Sequence, residues 1–137
     1  MKQVNWLGLV VSLVVGQVIG FLWYGTLFAQ AWMKATGVTE ADAAGQEWKM
    51  GLGIVNMLVV LLGLDWLIRS LGATSFVAGA KTALIACVVF ALTVVSLNYI
   101  YANGDISLQW IDGGYQLVTY VVFGALLGGL RRKPKAA

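Results

Sequence analysis

Residues 4–24 read "VNWLGLVVSLVVGQVIGFLWY", and neither a charge nor a proline falls anywhere in the run. At about 1.5 Å per helical residue, such a run is as long as an α-helix must be to cross a ~30 Å hydrocarbon layer. Three more long apolar runs follow, over 50–68, 76–101 and 112–130, whose charged residues are Asp65, Lys81 and Asp112. Backbone groups in lipid must be paired within their own segment, and the runs lack the strict alternation of a membrane barrel strand, so helices are expected. The one proline, Pro134, lies outside all four runs. Hydrophobic residues make up 60% of the chain and charged residues 11%, a balance unsuited to a water-facing surface. The expected fold class is all-α: a four-helix transmembrane bundle forming one integral membrane domain over 1–137.

A leader peptide is the competing reading of the first run, because Lys2 precedes it and Ala29-Gln30-Ala31 has the form of a cleavage site. The run exceeds a usual leader core, and Trp23-Tyr24 with a further amphipathic stretch separates it from that site, so it is read as the first span. Orientation follows from the basic residues. With the N-terminus inside, Lys2, Arg69, Lys81, Arg131, Arg132, Lys133 and Lys135 fall on the cytoplasmic side, and Lys34 and Lys49 on the other. Both ends are therefore expected in the cytoplasm, and the tail "RRKPKAA" over 131–137 is read as an anchor at the inner surface.

Between the first two runs, Tyr24, Leu27, Phe28, Ala31, Trp32 and Ala35 recur at steps of three and four. Thr26, Gln30 and Lys34 occupy the other face, so 24–35 is expected to be an amphipathic interfacial helix on the outer surface. Gly37 ends it, and Thr39 with Asp42 has the spacing of a capping box for the next helix.

Trp23-Tyr24, Leu27-Phe28, Ala31-Trp32, Lys34, Gly37 and Thr39-Glu40 together resemble a family of small bacterial membrane proteins, domain-of-unknown-function family 1761. The likeness extends over nearly the whole chain, although Gly25-Thr26 replaces the small residue and proline of the family pattern. It implies a multi-pass protein of the bacterial inner membrane with a Gly-rich final helix, and no catalytic residues.

Small residues recur every fourth position: Gly8, Ser12, Gly16 and Gly20 in the first run, Gly79, Ala83, Cys87 and Ala91 in the third, Gly124 and Gly128 in the last. In lipid, such ridges let helices approach closely, either within one chain or in a homo-oligomer. Polar residues concentrate in the outer half. Gln17, Asn56, Asn98, Gln116 and Thr119 lie there, with Asp112 at the boundary. Amides in hydrocarbon need partners, so these residues either clasp helices together or line an outward-facing pocket with Asp112 at its mouth and Trp23, Tyr24 and Trp32 as rim. Asp65 and Arg69, one turn apart, are read as an ion pair near the inner boundary.

The chain has no histidine and one cysteine, Cys87, in a small-residue setting. No metal site, cofactor motif, phosphate loop or nucleophile elbow is apparent, and no basic domain suited to nucleic acid. The expectation is a non-enzyme whose surroundings are the lipid bilayer and whose pocket binds or transports an unidentified small-molecule ligand. The alternative is a structural or accessory protein acting by self-association or partner docking.

Overall fold

The computed structural model describes residues 3–43, 45–101 and 105–131, and every regular element among them is helical. Lys2, Arg132, Lys133 and Lys135, used above for orientation, lie outside the described residues.

Helix α1 spans Trp6–Leu22 and runs on into a π-helical turn, Trp23–Leu27. Its cap is Asn5, whose side chain accepts from the Gly8 N–H at 3.0 Å and donates to the Leu127 carbonyl at 2.9 Å. Phe28 breaks the helix, and α2, Ala29–Thr36, ends at Gly37 in the left-handed conformation, φ 71°. The short α3, Glu40–Ala43, is opened by half of the expected box. Asp42 accepts from both the N–H and the hydroxyl of Thr39, which holds its carboxyl below the ordinary range. Helix α4 is Glu47–Ser70. Helices α5, Phe76–Ala86, and α6, Leu92–Tyr101, form one rod interrupted by a second π turn, Cys87–Ala91. Helix α7, Ile106–Gly129, begins six residues before the expected run because Asp105 caps it, accepting from the Ser107 N–H at 2.9 Å.

Helix α7 is the hub and touches α1, α2, α4, α5 and α6. Its tightest neighbour is α5, where the small-residue ridges meet backbone to backbone: a methyl added at Gly79 would strike the Gly124 carbonyl, and one at Gly128 the Ser75 carbonyl. On α1, Gly16 lies against Met57 and Phe123, Gly20 lies under the Tyr115 hydroxyl, Gly8 abuts its own cap Asn5, and Ser12 is fully buried. The ridges thus serve contacts inside this one chain. The apolar core around Leu61, Ile68, Ala83, Phe123 and Leu127 fills the bundle toward the end where residues 3–5 meet Leu127 and Arg131.

The exterior is inverted relative to a water-soluble protein. Leu7, Val10, Val14, Val18 and Phe21 form one exposed stripe down α1, while its buried positions include Gly8, Ser12 and Gly16. Large apolar groups outside and small groups inside suit a solvent of acyl chains. Three helices, Trp6–Leu27, Trp48–Ser70 and Phe76–Tyr101, are long and apolar enough to cross a membrane. Helix α7 matches them in length, 24 residues, but Asp112, Gln116 and its five glycines lower its hydropathy. Surrounded by other helices, it has little need of an apolar exterior.

Candidate functional site

An open cleft of about 440 Å³ lies where the π turn of α1, α2, α6 and the first turns of α7 converge. Its walls are Tyr24, Trp32, Val95, Asn98, Tyr99, Asp112, Tyr115 and Gln116. At its centre the half-buried Asp112 carboxylate receives the Tyr24 hydroxyl at 2.8 Å on one oxygen and the Tyr99 hydroxyl on the other. One carboxylate therefore joins three helices.

The aromatic groups are arranged as walls. Trp32 meets Tyr24 edge-on, with ring centroids 6.0 Å apart at 73°, and Tyr24 meets Tyr115 at 5.1 Å and 59°. Trp23 stands behind them, packed on Phe28 at 4.8 Å and donating its indole N–H to the Ile111 carbonyl at 3.0 Å. Its ring sits directly over Gly114, where a side chain would crowd it. The π turn keeps Tyr24 facing α7, and the break at Phe28 returns α2 so that Trp32 faces the same space.

Of the residues expected at a pocket, Asn98, Asp112 and Gln116 line the cleft, as do the rim residues Tyr24 and Trp32. The amides of Asn98 and Gln116 have no hydrogen-bond partner among the described residues, leaving them available to an occupant. The other candidates lie elsewhere. Gln17 points toward Met57, its amide 3.6 Å from the sulfur. Asn56 is exposed on the outer face of α4. Thr119 is buried and turns its hydroxyl to the Tyr115 carbonyl of its own helix at 2.7 Å. No clasp links Gln17, Asn56, Asn98 and Gln116 to one another among the described residues. Around the cleft, the bonds between helices come instead from tyrosine, tryptophan and Gln109, which donates to Ser96 at 3.0 Å. Tyr99 and Tyr115 also line the cleft, and the sequence reading did not assign them to the pocket. Their signal was the spacing of Tyr115 three residues after Asp112 and the place of Tyr99 beside Asn98.

A second polar cluster occupies the opposite end. Asp65, fully buried, lies 2.9 Å from Arg69 Nε and also pairs with Arg131 Nη2, while the Asn5 N–H approaches at 3.4 Å. The pairing one turn along α4 is present, but Arg131 enters it from the tail. Its side chain is 9% exposed, so this residue ties α7 to α4 and to the Gln3 carbonyl. Among the described residues, no three histidine, cysteine or acidic side chains come together to hold a metal.

The family described as "Protein of unknown function (DUF1761)" matches residues 7–128. No curated protein and no solved structure matches the chain.

Proposed function

The chain belongs to the DUF1761 family of proteins of unknown function, and from that premise we propose that it is a four-span membrane protein that binds or transports a small molecule through the cleft at Asp112. The observation that carries this reading is the cleft itself, an aromatic-walled space of about 440 Å³ containing the Asp112 carboxylate and two amides that have no partner among the described residues. Apolar walls with a few convergent polar groups are the usual form of a small-molecule site. Its role is binding or passage rather than catalysis, because the lining offers one carboxylate with phenol and amide groups suited to hydrogen bonding.

In this reading α7 is the fourth span, and the protein sits in the bacterial inner membrane with both ends in the cytoplasm. The meeting of residues 3–5 with Arg131 at one end supports an even number of crossings. The excess of Lys and Arg at that end supports its cytoplasmic placement. The cleft then opens outward, and α2 rests on the outer surface with Gln30, Ala31 and Lys34 exposed and Trp32 turned inward.

Native mass spectra of the protein released from its own lipid test the reading. Wild type should retain a small molecule as lipid is stripped, and Gln116→Leu should lose that mass without a change in melting temperature. A bare wild-type chain, or a Gln116→Leu variant altered only in stability, would overturn it.

Self-association is the second reading, and Asn56 is what favours it. This amide is exposed mid-helix on α4 without a partner among the described residues, and Gly53 and Gly63 on the same helix have open space beside them. A second copy across that face would satisfy the amide. Asn56→Leu should then convert an oligomer to a monomer, and an unchanged mass would remove this reading.

A further inference from the structure

We propose that the cleft selects an organic monocation, a substituted ammonium group seated between Asp112 and the ring faces of Trp32, Tyr24 and Tyr115. The inference rests on the reading that the cleft takes a ligand, and adds the charge and class of that ligand. Charge is the first ground. Among the described residues, the Asp112 carboxylate receives only the neutral hydroxyls of Tyr24 and Tyr99, and no lysine or arginine lines the cleft. The basic residue on the adjoining helix, Lys34, is exposed and is not part of the cleft's lining. A half-buried carboxylate held by neutral donors favours a cationic partner, and about four acceptor positions on its two oxygens leave room for one.

The walls are the second ground. Four aromatic side chains, Tyr24, Trp32, Tyr99 and Tyr115, line one small space, with Tyr24 at steep angles to both Trp32 and Tyr115. Several aromatic rings around one space beside a carboxylate are the elements that hold alkylammonium groups. Volume excludes the simpler cations. A bare metal ion takes six to eight oxygens at about 2.3–2.6 Å in the case of calcium, whereas these walls are mostly carbon. The space of about 440 Å³ admits a molecule of several heavy atoms. Asn98 and Gln116 lie within the same lining and can hydrogen-bond a hydroxyl or carbonyl on the cation's remaining portion. An anion would face Asp112 directly and gain nothing from the rings.

The test uses the full chain in lipid nanodiscs and calorimetric titration with choline, with its uncharged carbon isostere 3,3-dimethylbutan-1-ol, and with succinate, all in about 0.1 M sodium chloride so that sodium competes and distant charges are screened. Choline should bind at least about tenfold more tightly than the alcohol, and Trp32→Leu should weaken it about three- to thirtyfold. Asp112→Asn should remove the preference for choline over the alcohol. Because Asp112 joins three helices, Tyr24→Phe serves beside it: it loosens the same junction, keeps the charge, and should keep the preference. Equal affinity for choline and the alcohol, or preference for succinate, would overturn the cation assignment and leave the ligand-binding cleft standing. Absence of saturable binding for all three probes would overturn both.

Discussion

Asp112 depends on two phenols that arrive from different helices, and each bond is separable by one substitution. A hydrogen bond to a charged acceptor contributes about 1.5–3 kcal/mol when sheltered, and partial exposure here reduces that to about 1–2 kcal/mol. Tyr24→Phe and Tyr99→Phe should each lower stability by about that amount, measured as thermal unfolding in nanodiscs. The double variant should lose more than the sum of the single losses, because the second phenol removed leaves the carboxylate without a donor. At the other end, Asp65 is fully buried between Arg69 and Arg131. Arg131→Ala withdraws one of its two partners and should cost about 3 kcal/mol, far above the effect of a surface arginine. An Arg131→Ala protein that unfolds like wild type would show that the tail merely anchors the chain.

Helical elements place these residues by depth and by rotation, and the two were unequally legible. Depth is read by counting along the helix, and rise per residue is the ground on which Gln17, Asn56, Asn98 and Gln116 are grouped in one half of the bundle. Rotation is altered by the π turns. The third run buries Gly79, Ala83 and Cys87 at regular steps, and unbroken α periodicity would carry that face on toward Val94 and Asn98. The turn Cys87–Ala91 inserts one residue, which rotates the following helix by about 100°. Leu92, Val95 and Tyr99 inherit the inner face, while Asn98 stands at the cleft's exposed edge. Deleting Val89 should restore regular winding and keep Tyr99, then in step with Cys87, facing Asp112. In that background Tyr99→Phe should still lower stability, and a loss of that effect would contradict the rotational account.

The start of α7 is set by Asp105. The Ser107 N–H and hydroxyl beside it hold its carboxyl below the ordinary range of about 3.9. A carboxyl lowered on folding contributes stability above its unfolded value and loses it as pH falls through the folded one. The Ser107 amide resonance should therefore titrate below the ordinary aspartate range, and a midpoint at or above that range would remove the cap.

For the molecule as a whole, the helical class and the small-residue contacts were readable from features that a lipid surrounding would demand residue by residue: apolar length, absence of internal proline, glycine at close approaches. The cleft was readable in part. Asp112, Gln116 and Asn98 announced themselves as polar groups in an apolar chain, whereas tyrosine is ordinary at a membrane boundary, so Tyr99 and Tyr115 were marked only by their places beside Asn98 and three residues after Asp112. Gln17 and Asn56 show the converse, since polarity at the right depth does not disclose which side of a helix faces its neighbours. Together the parts describe a bundle sealed at the end of Asp65 by arginines and open at the end of Asp112 between aromatic walls.

The central claim is that this opening is a water-accessible cleft on the outer side of the membrane. It is tested most directly by placing a single cysteine at Gln116, in a Cys87→Ala background, and treating intact cells with a membrane-impermeant maleimide. The account predicts labelling from outside at a rate comparable to a cysteine placed at the exposed Gln30. Labelling only after the membrane is opened, or none at all, would contradict it.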